Sequence, residues 1–231
     1  MSKRSIAAIA CAVLMLGIAL WEIVATLAAG VPGDEAWARA AKLVRDAHRP
    51  GDLVVFAPRW VDPTGRMHLG DLIPIEMAAR MDDARYARIW ELSIRGAHRD
   101  EAAAFEQEVD GILVRRYDRT PATVLAEVLP SQLALAEVGF EPHRCIHASG
   151  PVKATLPAGT LVGYAGIADI FTRRENRAAG KLDVEIGGKV VASIAPGVDD
   201  GWVRFETKIP AGEVTFVSRA RSVCFAAEVR E

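Results

Sequence analysis

KLDVEIGGKVV, residues 181–191, is the stretch that decides the fold of the carboxyl-terminal part of the chain. Leu182 and Val184 alternate with acidic residues, as side chains do on a strand that buries one face. The doublet Gly187-Gly188 separates this run from a second one and is a strong β-hairpin signal. The stretch therefore predicts two antiparallel strands.

The same sequence pattern extends over residues 151–231, where short apolar runs are divided by Gly and Pro. Val203 and Phe205 repeat the alternation seen in the hairpin, so two facing sheets would bury these stripes. We expect an antiparallel β-sandwich over 151–231. Its predicted strands are 152–156, 161–165, 181–186, 189–195, 202–209, 213–219 and 222–229.

Residues 34–120 alternate between helical and strand patterns. Residues 34–47 have apolar side chains at helical spacing behind an acidic first turn, and 52–57 is an uninterrupted β-branched and aromatic run. Further strands are predicted at 88–92 and 112–117, with a helix over 101–108 capped by Asp100. This order favours a small α/β domain with a mainly parallel sheet, followed by a connector over 121–150.

An apolar run from Ile6 to Ala29 follows Lys3 and Arg4 at the amino end. A helix of this length can cross a hydrocarbon layer of about 30 Å, and the positive-inside rule would place the remainder of the chain outside. The expected location is the bacterial inner membrane, as a single-pass protein with its carboxyl-terminal portion in the periplasm or outside. The alternative is a cleaved secretory signal, and both interpretations predict export.

Composition excludes one class of partner. The chain has 231 residues, 28 Lys and Arg against 30 Asp and Glu, and a formal charge of -2. Without a basic stripe there is no electrostatic case for nucleic-acid binding. Beyond the leading run the cysteines are Cys145 and Cys224, which are candidates for one disulfide or for two free buried thiols.

The carboxyl-terminal pattern resembles jelly-roll modules of the carbohydrate-binding type over about residues 152–231. In that family a glycine-containing opening segment, a hairpin and a closing strand come in this order. The resemblance implies binding or docking. It is carried by GYAGIAD (163–169), LDVEIGGKVV (182–191), DGW (200–202) and VCFA (223–226).

The amino-terminal part is similar to the soluble extracytoplasmic segment of bacterial membrane glycosyltransferases related to dolichyl-phosphate-mannose mannosyltransferases. The similarity covers 34–117 and is carried by AWARAAKLVRDAHRPGDLVVFAPRW (36–60) and RYARIWELS (85–93). Those enzymes carry their catalytic acidic residues in a many-helix membrane body, whereas this chain has a single hydrophobic run. The resemblance therefore implies an accessory domain beside a multi-span membrane enzyme.

The fold class predicted from these observations is α+β multidomain. It comprises an amino-terminal transmembrane helix (1–30), a small α/β domain that forms half of a Rossmann-like fold (34–120), the connector, and a jelly-roll-like β-sandwich (151–231).

Sugars stack on aromatic rings and pair their hydroxyls with planar charged groups, which selects the candidate ligand residues. Packing of Trp202 and Trp60 into the core and solvation of the arginines are the alternatives. The candidates are Tyr164, Asp169, Arg173, Arg174 and Trp202 in the sandwich, with Arg59 and Trp60 in the loop after the first strand.

Two other groups of residues give weaker evidence for a functional site. His143, Cys145 and His147 are spaced by two and suit zinc, but no fourth ligand lies nearby in sequence, so no metal or cofactor is predicted. Acidic and histidine side chains in the loop after the first strand could form a paired-carboxylate site, although solvated loop residues explain them as well. They are Asp62, His68, Asp71 and Glu76.

These observations predict a membrane-anchored extracytoplasmic binding or accessory protein. Its expected partners are the lipid bilayer through residues 6–29, a glycan, and a multi-span membrane enzyme, in envelope polysaccharide or glycoconjugate handling. No catalytic residue is assigned. The alternatives are a glycosyltransferase-related or glycan-processing enzyme with its site in the α/β loops, and a structural subunit of an envelope complex.

Overall fold

The computed structural model of the chain describes residues 3–28, 30–79, 81–168, 177–219 and 221–231. Its helices are α1 (Lys3–Ala28), α2 (Asp34–Ala47), α3 (Asp62–Leu69) and α4 (Ile75–Ala78). The first four strands are β1 (Leu53–Ala57), β2 (Arg88–Ser93), β3 (Phe105–Val109) and β4 (Ile112–Asp118). The others are β5 (Val124–Glu127), β6 (Ala134–Val138), β7 (Glu141–Ala148), β8 (Pro151–Leu156), β9 (Gly159–Gly166), β10 (Lys181–Ile186), β11 (Lys189–Ile194), β12 (Val203–Ile209), β13 (Gly212–Arg219) and β14 (Val223–Arg230).

The predicted transmembrane anchor and inner-membrane location are wrong. Among the residues that the structure describes, no helix has both the length and the apolar character needed to cross a bilayer. The lipid bilayer through residues 6–29 and a membrane enzyme are therefore unsupported as partners.

The mixed-sheet region, residues 34–119, contains a four-stranded sheet in the order β1-β2-β4-β3. The α2 helix buries its apolar face, including Trp37 and Val44, in one core with Phe56 of β1 and Trp90 of β2. Only the β1–β2 pair of this sheet is parallel, since β4 runs antiparallel to both β2 and β3. The predicted α+β multidomain fold with a Rossmann-like α/β domain and a mainly parallel sheet is therefore wrong, since the described residues form mostly strands.

The cause of that error is the segment 101–118. Residues 105–109 form strand β3 where a helix over 101–108 was expected, and β3 joins β4 through Asp110-Gly111. Both turn residues have positive φ, 50° and 82°, as a tight hairpin turn of the Asp-Gly type requires. An antiparallel hairpin thus replaces the crossover helix that a parallel sheet needs.

Residues 121–150, expected to be a connector, contribute three strands to the second half of the molecule. Strand β5 pairs with β14, β6 pairs with β7, and β7 pairs with β14. The domain boundaries derived from the sequence remain a prediction, but the strands of the β-sandwich begin at Val124. We call residues 124–231 the sandwich.

The sandwich has two sheets with a shared apolar core. One has the order β11-β10-β13-β8, and the six-stranded one has the order β12-β9-β14-β7-β6 with β5 also paired to β14. All seven strands expected beyond residue 150 are present, within a few residues of their predicted bounds. Phe216 of β13 and Phe225 of β14 stack across the core with ring centroids 4.6 Å apart.

A disulfide joins the two central strands β7 and β14 through Cys145 and Cys224, whose Cα atoms are 5.6 Å apart. Both cysteines are buried. The bridge closes a chain separation of 79 residues. It therefore removes much conformational freedom from the unfolded chain.

Strand alternation divides the six-stranded sheet into an inner and an outer face. Phe205 of β12 and Val229 of β14 point into the core. The outer face carries Arg204, Tyr164 and Arg230, and it lines a cleft against the mixed-sheet region.

Candidate functional site

The candidate site is a cleft of about 940 Å³ between the mixed-sheet region and the outer face of the six-stranded sheet. Its volume lies near the upper end of the range of about 300–1,000 Å³ that is typical of small-molecule sites. One wall comes from Glu76, Met77, Ala79 and residues 81–86, and the opposite wall comes from β9, β12 and β14.

The sandwich wall is organised around Tyr164. Strand register places Arg204 of β12 and Ala226 of β14 directly opposite Tyr164 of β9, on either side. The three side chains therefore form a row across the sheet, and the small Ala226 leaves space beside the phenol ring.

Two charged groups flank the Tyr164 hydroxyl. The Asp82 carboxylate and the Arg204 guanidinium both lie close enough to shift its pKa, in opposite directions. Burial, and then the negative charge of Asp82, raise the pKa of Tyr164 well above its ordinary value. The phenol is therefore protonated at neutral pH and bridges the two walls of the cleft.

Asp82 is also tied to the last strand. Arg230 donates a hydrogen bond of 2.8 Å to Asp82 and another of 2.7 Å to Glu228. Burial acts to raise the pKa of Asp82, but hydrogen bonds from the Ala84 amide and from Arg230 outweigh it, and the pKa lies below its ordinary value. Asp82 is consequently a carboxylate at neutral pH.

Arg85 extends this network to the cleft edge, 2.8 Å from Glu127 and 3.2 Å from Glu228. The next acidic residue of the same loop, Asp83, binds elsewhere: it pairs with Arg99 and, at 3.1 Å, with Arg119 of the mixed-sheet region. The neighbouring carboxylates of Asp82 and Asp83 thus fasten one loop to both halves of the molecule.

His143 of β7 also lines the cleft. Burial, helped by the positive charge of Arg85, lowers the pKa of its imidazole, so the ring is neutral at pH 7. Its Nδ1 atom is buried and has no hydrogen-bond partner among the described residues. The ring packs edge-on against Trp202, with centroids 5.6 Å apart.

Of the ligand residues expected from the sequence, Tyr164 lines the cleft. Trp202 and Arg59 instead meet at Glu141: the Trp202 indole donates a 3.2 Å hydrogen bond to the Glu141 carbonyl oxygen, and Arg59 pairs with the Glu141 carboxylate. Trp60 is 56% exposed, and the Arg95 guanidinium carbon lies 5.7 Å from its ring centroid. Asp169, Arg173 and Arg174 lie outside the described residues.

The loop carboxylates after β1 do not converge on one site. Asp62 binds Arg66 at 2.6 Å, Asp71 binds Arg45, and Glu76 binds Arg144 at 3.0 Å. His68, the fourth member of that set, lies 3.1 Å from Asp34. Each carboxylate is therefore held by a different arginine.

The structure groups a different set of histidine and cysteine side chains from the His143, Cys145 and His147 set considered from the sequence. Cys145, His147 and Cys224 place their ligand atoms within 4.8 Å of one another. Since the two sulfur atoms are bonded in the disulfide, they are not thiolates that could coordinate zinc.

Sequence reasoning missed the charged groups of the cleft. Along β12 and β14, outward-facing residues alternate with core residues. This alternation in the sequence indicates that Arg204, Glu228 and Arg230 share an outer face. Asp82 lies in a loop, and its partner Arg230 is 148 positions away. Local pattern alone could not join them.

No protein-family model matches the chain, and neither does any curated protein. Solved structures similar to it include CBM51-2 in complex with GlcNAc and INT domains from Clostridium perfringens ZmpB, at 14% identity and a TM-score of 0.37, covering 56% of this chain and 40% of that one. Another is the M60 catalytic domain with CBM51-1 and CBM51-2 from the same protein, at 12% identity and a TM-score of 0.38, covering 56% of this chain and 19% of that one.

A third is CsCBM6-3 from Clostridium stercorarium in complex with cellobiose, at 12% identity and a TM-score of 0.28, covering 47% of this chain and 87% of that one. Carbohydrate-binding modules are thus among the similar structures, whereas the glycosyltransferase resemblance of residues 34–117 finds no support. The TM-scores are low, and the chain spans less than half of the two ZmpB structures.

Proposed function

We propose that this protein binds a carbohydrate in the cleft between the mixed-sheet region and the sandwich. The observation that carries the proposal is the set of Tyr164, Asp82 and Arg204, in which a phenol lies between a carboxylate and a guanidinium on a concave surface. Sugar hydroxyls both donate and accept hydrogen bonds, so they are matched by carboxylates and guanidinium groups side by side.

The dimensions and lining support the same ligand class. A cleft of about 940 Å³ has room for a short saccharide. Apolar side chains such as Met77 and Val162 lie among the charged ones, and Tyr86 is only partly buried. Such a surface can cover the apolar face of a sugar ring while its hydroxyls are hydrogen-bonded.

Binding fits the electrostatics better than glycan cleavage does. A hydrolase of the common type needs one carboxyl group with a raised pKa as the general acid. In this cleft the pKa of Asp82 is lowered, and hydrogen bonds from the Glu76 backbone and from Arg144 lower the pKa of Glu76. Both groups are ionised at neutral pH and suit hydroxyl recognition.

The test is a saccharide-binding assay with wild-type protein and Tyr164→Phe. Wild-type protein should bind members of a glycan array, and calorimetry should then show about 10-fold weaker binding by Tyr164→Phe, the equivalent of one lost hydrogen bond of about 1.4 kcal/mol. Ser193→Ala is the matched control, because it also removes a hydroxyl bonded to a carboxylate, that of Asp183, and neither residue lines the cleft.

Two results would overturn the proposal. One is the absence of any saccharide binding by folded wild-type protein. The other is a bound saccharide whose affinity is unchanged in Tyr164→Phe while that variant keeps its thermal stability.

A further inference from the structure

The charged groups of the cleft wall also bear on which saccharides it accepts. Among the described lining residues there are six carboxylates and five guanidinium groups, and His143 is neutral at pH 7. The acidic residues are Glu76, Asp82, Asp83, Glu91, Glu127 and Glu228. The arginines are Arg85, Arg99, Arg144, Arg204 and Arg230. The wall is therefore weakly negative although it is rich in arginine.

The innermost arginine already has two carboxylate partners. Arg230 binds both Asp82 and Glu228, and the side chains of the three residues are only 10%, 14% and 9% exposed. An anionic ligand at Arg230 would have to displace one of them and leave a buried carboxylate without its counter-charge. Such a loss outweighs the gain from the new pair.

The arginines nearer the edge are paired in the same way. Arg85 lies between Glu127 and Glu228, and Arg144 is 3.0 Å from Glu76. Arg204 pairs with Glu206, the next outward-facing residue of β12, and Arg99 with Asp83 and Glu91. Each described cleft arginine thus faces at least one carboxylate.

A neutral hydroxyl makes a different demand on these pairs. A carboxylate has about four acceptor sites and a guanidinium has five N–H donors, so an ion pair keeps capacity for further hydrogen bonds. A hydroxyl can donate to one partner and accept from the other without separating them. The paired wall is therefore suited to hydroxyl groups and unsuited to an added negative charge.

We infer that the ligand is an uncharged saccharide, and that the cleft discriminates against saccharides with carboxylate or sulfate groups. This inference rests on the proposed carbohydrate-binding function and names its ligand class. It follows from the pairing of every described cleft arginine with at least one carboxylate.

The experiment compares neutral oligosaccharides with their uronic-acid counterparts of the same linkage and length. Calorimetry at pH 7 and low ionic strength should show the neutral member binding at least 10-fold more tightly. Because the discrimination is electrostatic, the ratio should fall as salt is raised.

A charge-removal variant tests the cause. Glu127→Gln takes one negative charge from the cleft edge and leaves Arg85 with Glu228 as its partner, so the ratio of neutral to acidic affinity should fall several-fold. Glu213→Gln is the matched control: it removes the same charge from a pair with Lys153 on the other sheet and should leave the ratio unchanged.

The outcomes separate the two proposals. Binding of acidic saccharides as tightly as their neutral counterparts overturns the ligand class while the binding function stands. An equal change of the ratio in Glu127→Gln and Glu213→Gln overturns the local pairing as its cause. Failure of both saccharide types to bind removes the binding function and this inference together.

Discussion

The mixed-sheet region and the sandwich handle buried charge in opposite ways. In the mixed-sheet region charge also lies within the fold: the buried Asp52 accepts hydrogen bonds from the Trp90 indole at 2.9 Å and from the Arg49 amide at 3.0 Å. In the sandwich the space between the sheets is apolar. Its buried charges lie on outer faces: Glu228 and Arg230 on the face that lines the cleft, and Asp183 on the opposite sheet.

This contrast shows where each region has charge available for a ligand. Buried polar groups that satisfy one another specify an internal arrangement and are costly to disturb. Charged side chains confined to the outer face of a sheet leave the apolar core undisturbed, and they can contact a ligand or a neighbouring region. The proposed recognition surface therefore combines the two: the sandwich supplies charges from the outer face of one sheet, and the mixed-sheet region supplies the loop around Asp82 together with Glu91 and Arg99.

The largest expected effect comes from the disulfide, which is found in the sandwich alone among the described residues. Cys145→Ala with Cys224→Ala should lower the free energy of unfolding of the sandwich by about 4 kcal/mol, because the bridge closes a separation of 79 residues. Urea denaturation followed by fluorescence should resolve this change. Cys11→Ala, at an exposed free cysteine, is the control. Equal stability of the double variant and wild type would contradict the prediction.

A smaller effect is expected from the internal acid of the mixed-sheet region. Asp52→Ala removes the acceptor of the Trp90 indole and of the Arg49 amide, at 2.9 and 3.0 Å. Leaving a buried indole N–H unpaired should cost about 3 kcal/mol, measurable by urea denaturation. Asp46→Ala, in an exposed pair with Lys42, should leave stability unchanged. An equal change in the free energy of unfolding of the two variants would contradict the contrast between charges inside the fold and charges on an outer face.

Much of the sandwich could be predicted from the sequence, because its strands alternate visibly and glycines mark their turns. In the mixed-sheet region, residues 101–108 combine three alanines with glutamates and a glutamine, good helix formers, yet the Asp110-Gly111 turn and the pairing with β4 impose a strand. Tertiary pairing overrode local propensity there. The antiparallel sheet therefore could not be inferred from helical preference.

The site divides in the same way. Tyr164 could be predicted from its residue type and its strand. Asp82 could not, because its role depends on Arg230 at a separation of 148 residues and on which face of the six-stranded sheet is covered. Strand alternation gives two faces, and only packing decides which of them meets the mixed-sheet region.

The link between the two regions should have an intermediate effect that depends on pH. Asp82→Asn should lower the free energy of unfolding by about 2 kcal/mol at pH 7, because the pair with Arg230 is lost. The pKa of folded Asp82 lies below its ordinary value of 3.8, so the stabilisation is fully present above that value and is lost as pH falls through the lower, folded pKa.

Urea denaturation from pH 7 to pH 3 should show the difference between wild type and Asp82→Asn shrinking in the acid range. Asp199→Asn, in an exposed pair with Arg177, should match wild type at every pH. A difference that stayed constant down to pH 3 would mean that the Asp82 carboxylate is not the stabilising group.

The smallest effect is expected at Trp202, which binds Glu141 and does not line the cleft. Trp202→Phe keeps an aromatic ring but loses the 3.2 Å hydrogen bond to the Glu141 carbonyl oxygen, so stability should fall by about 1 kcal/mol while saccharide affinity is unchanged. Trp60→Phe, at an exposed ring, should change neither quantity. Thermal denaturation and calorimetry on the same preparations measure both.

Weaker saccharide binding by Trp202→Phe at unchanged stability would instead place Trp202 in the ligand site, as its residue type suggests. Recognition would then move from the cleft towards the loops of the sandwich.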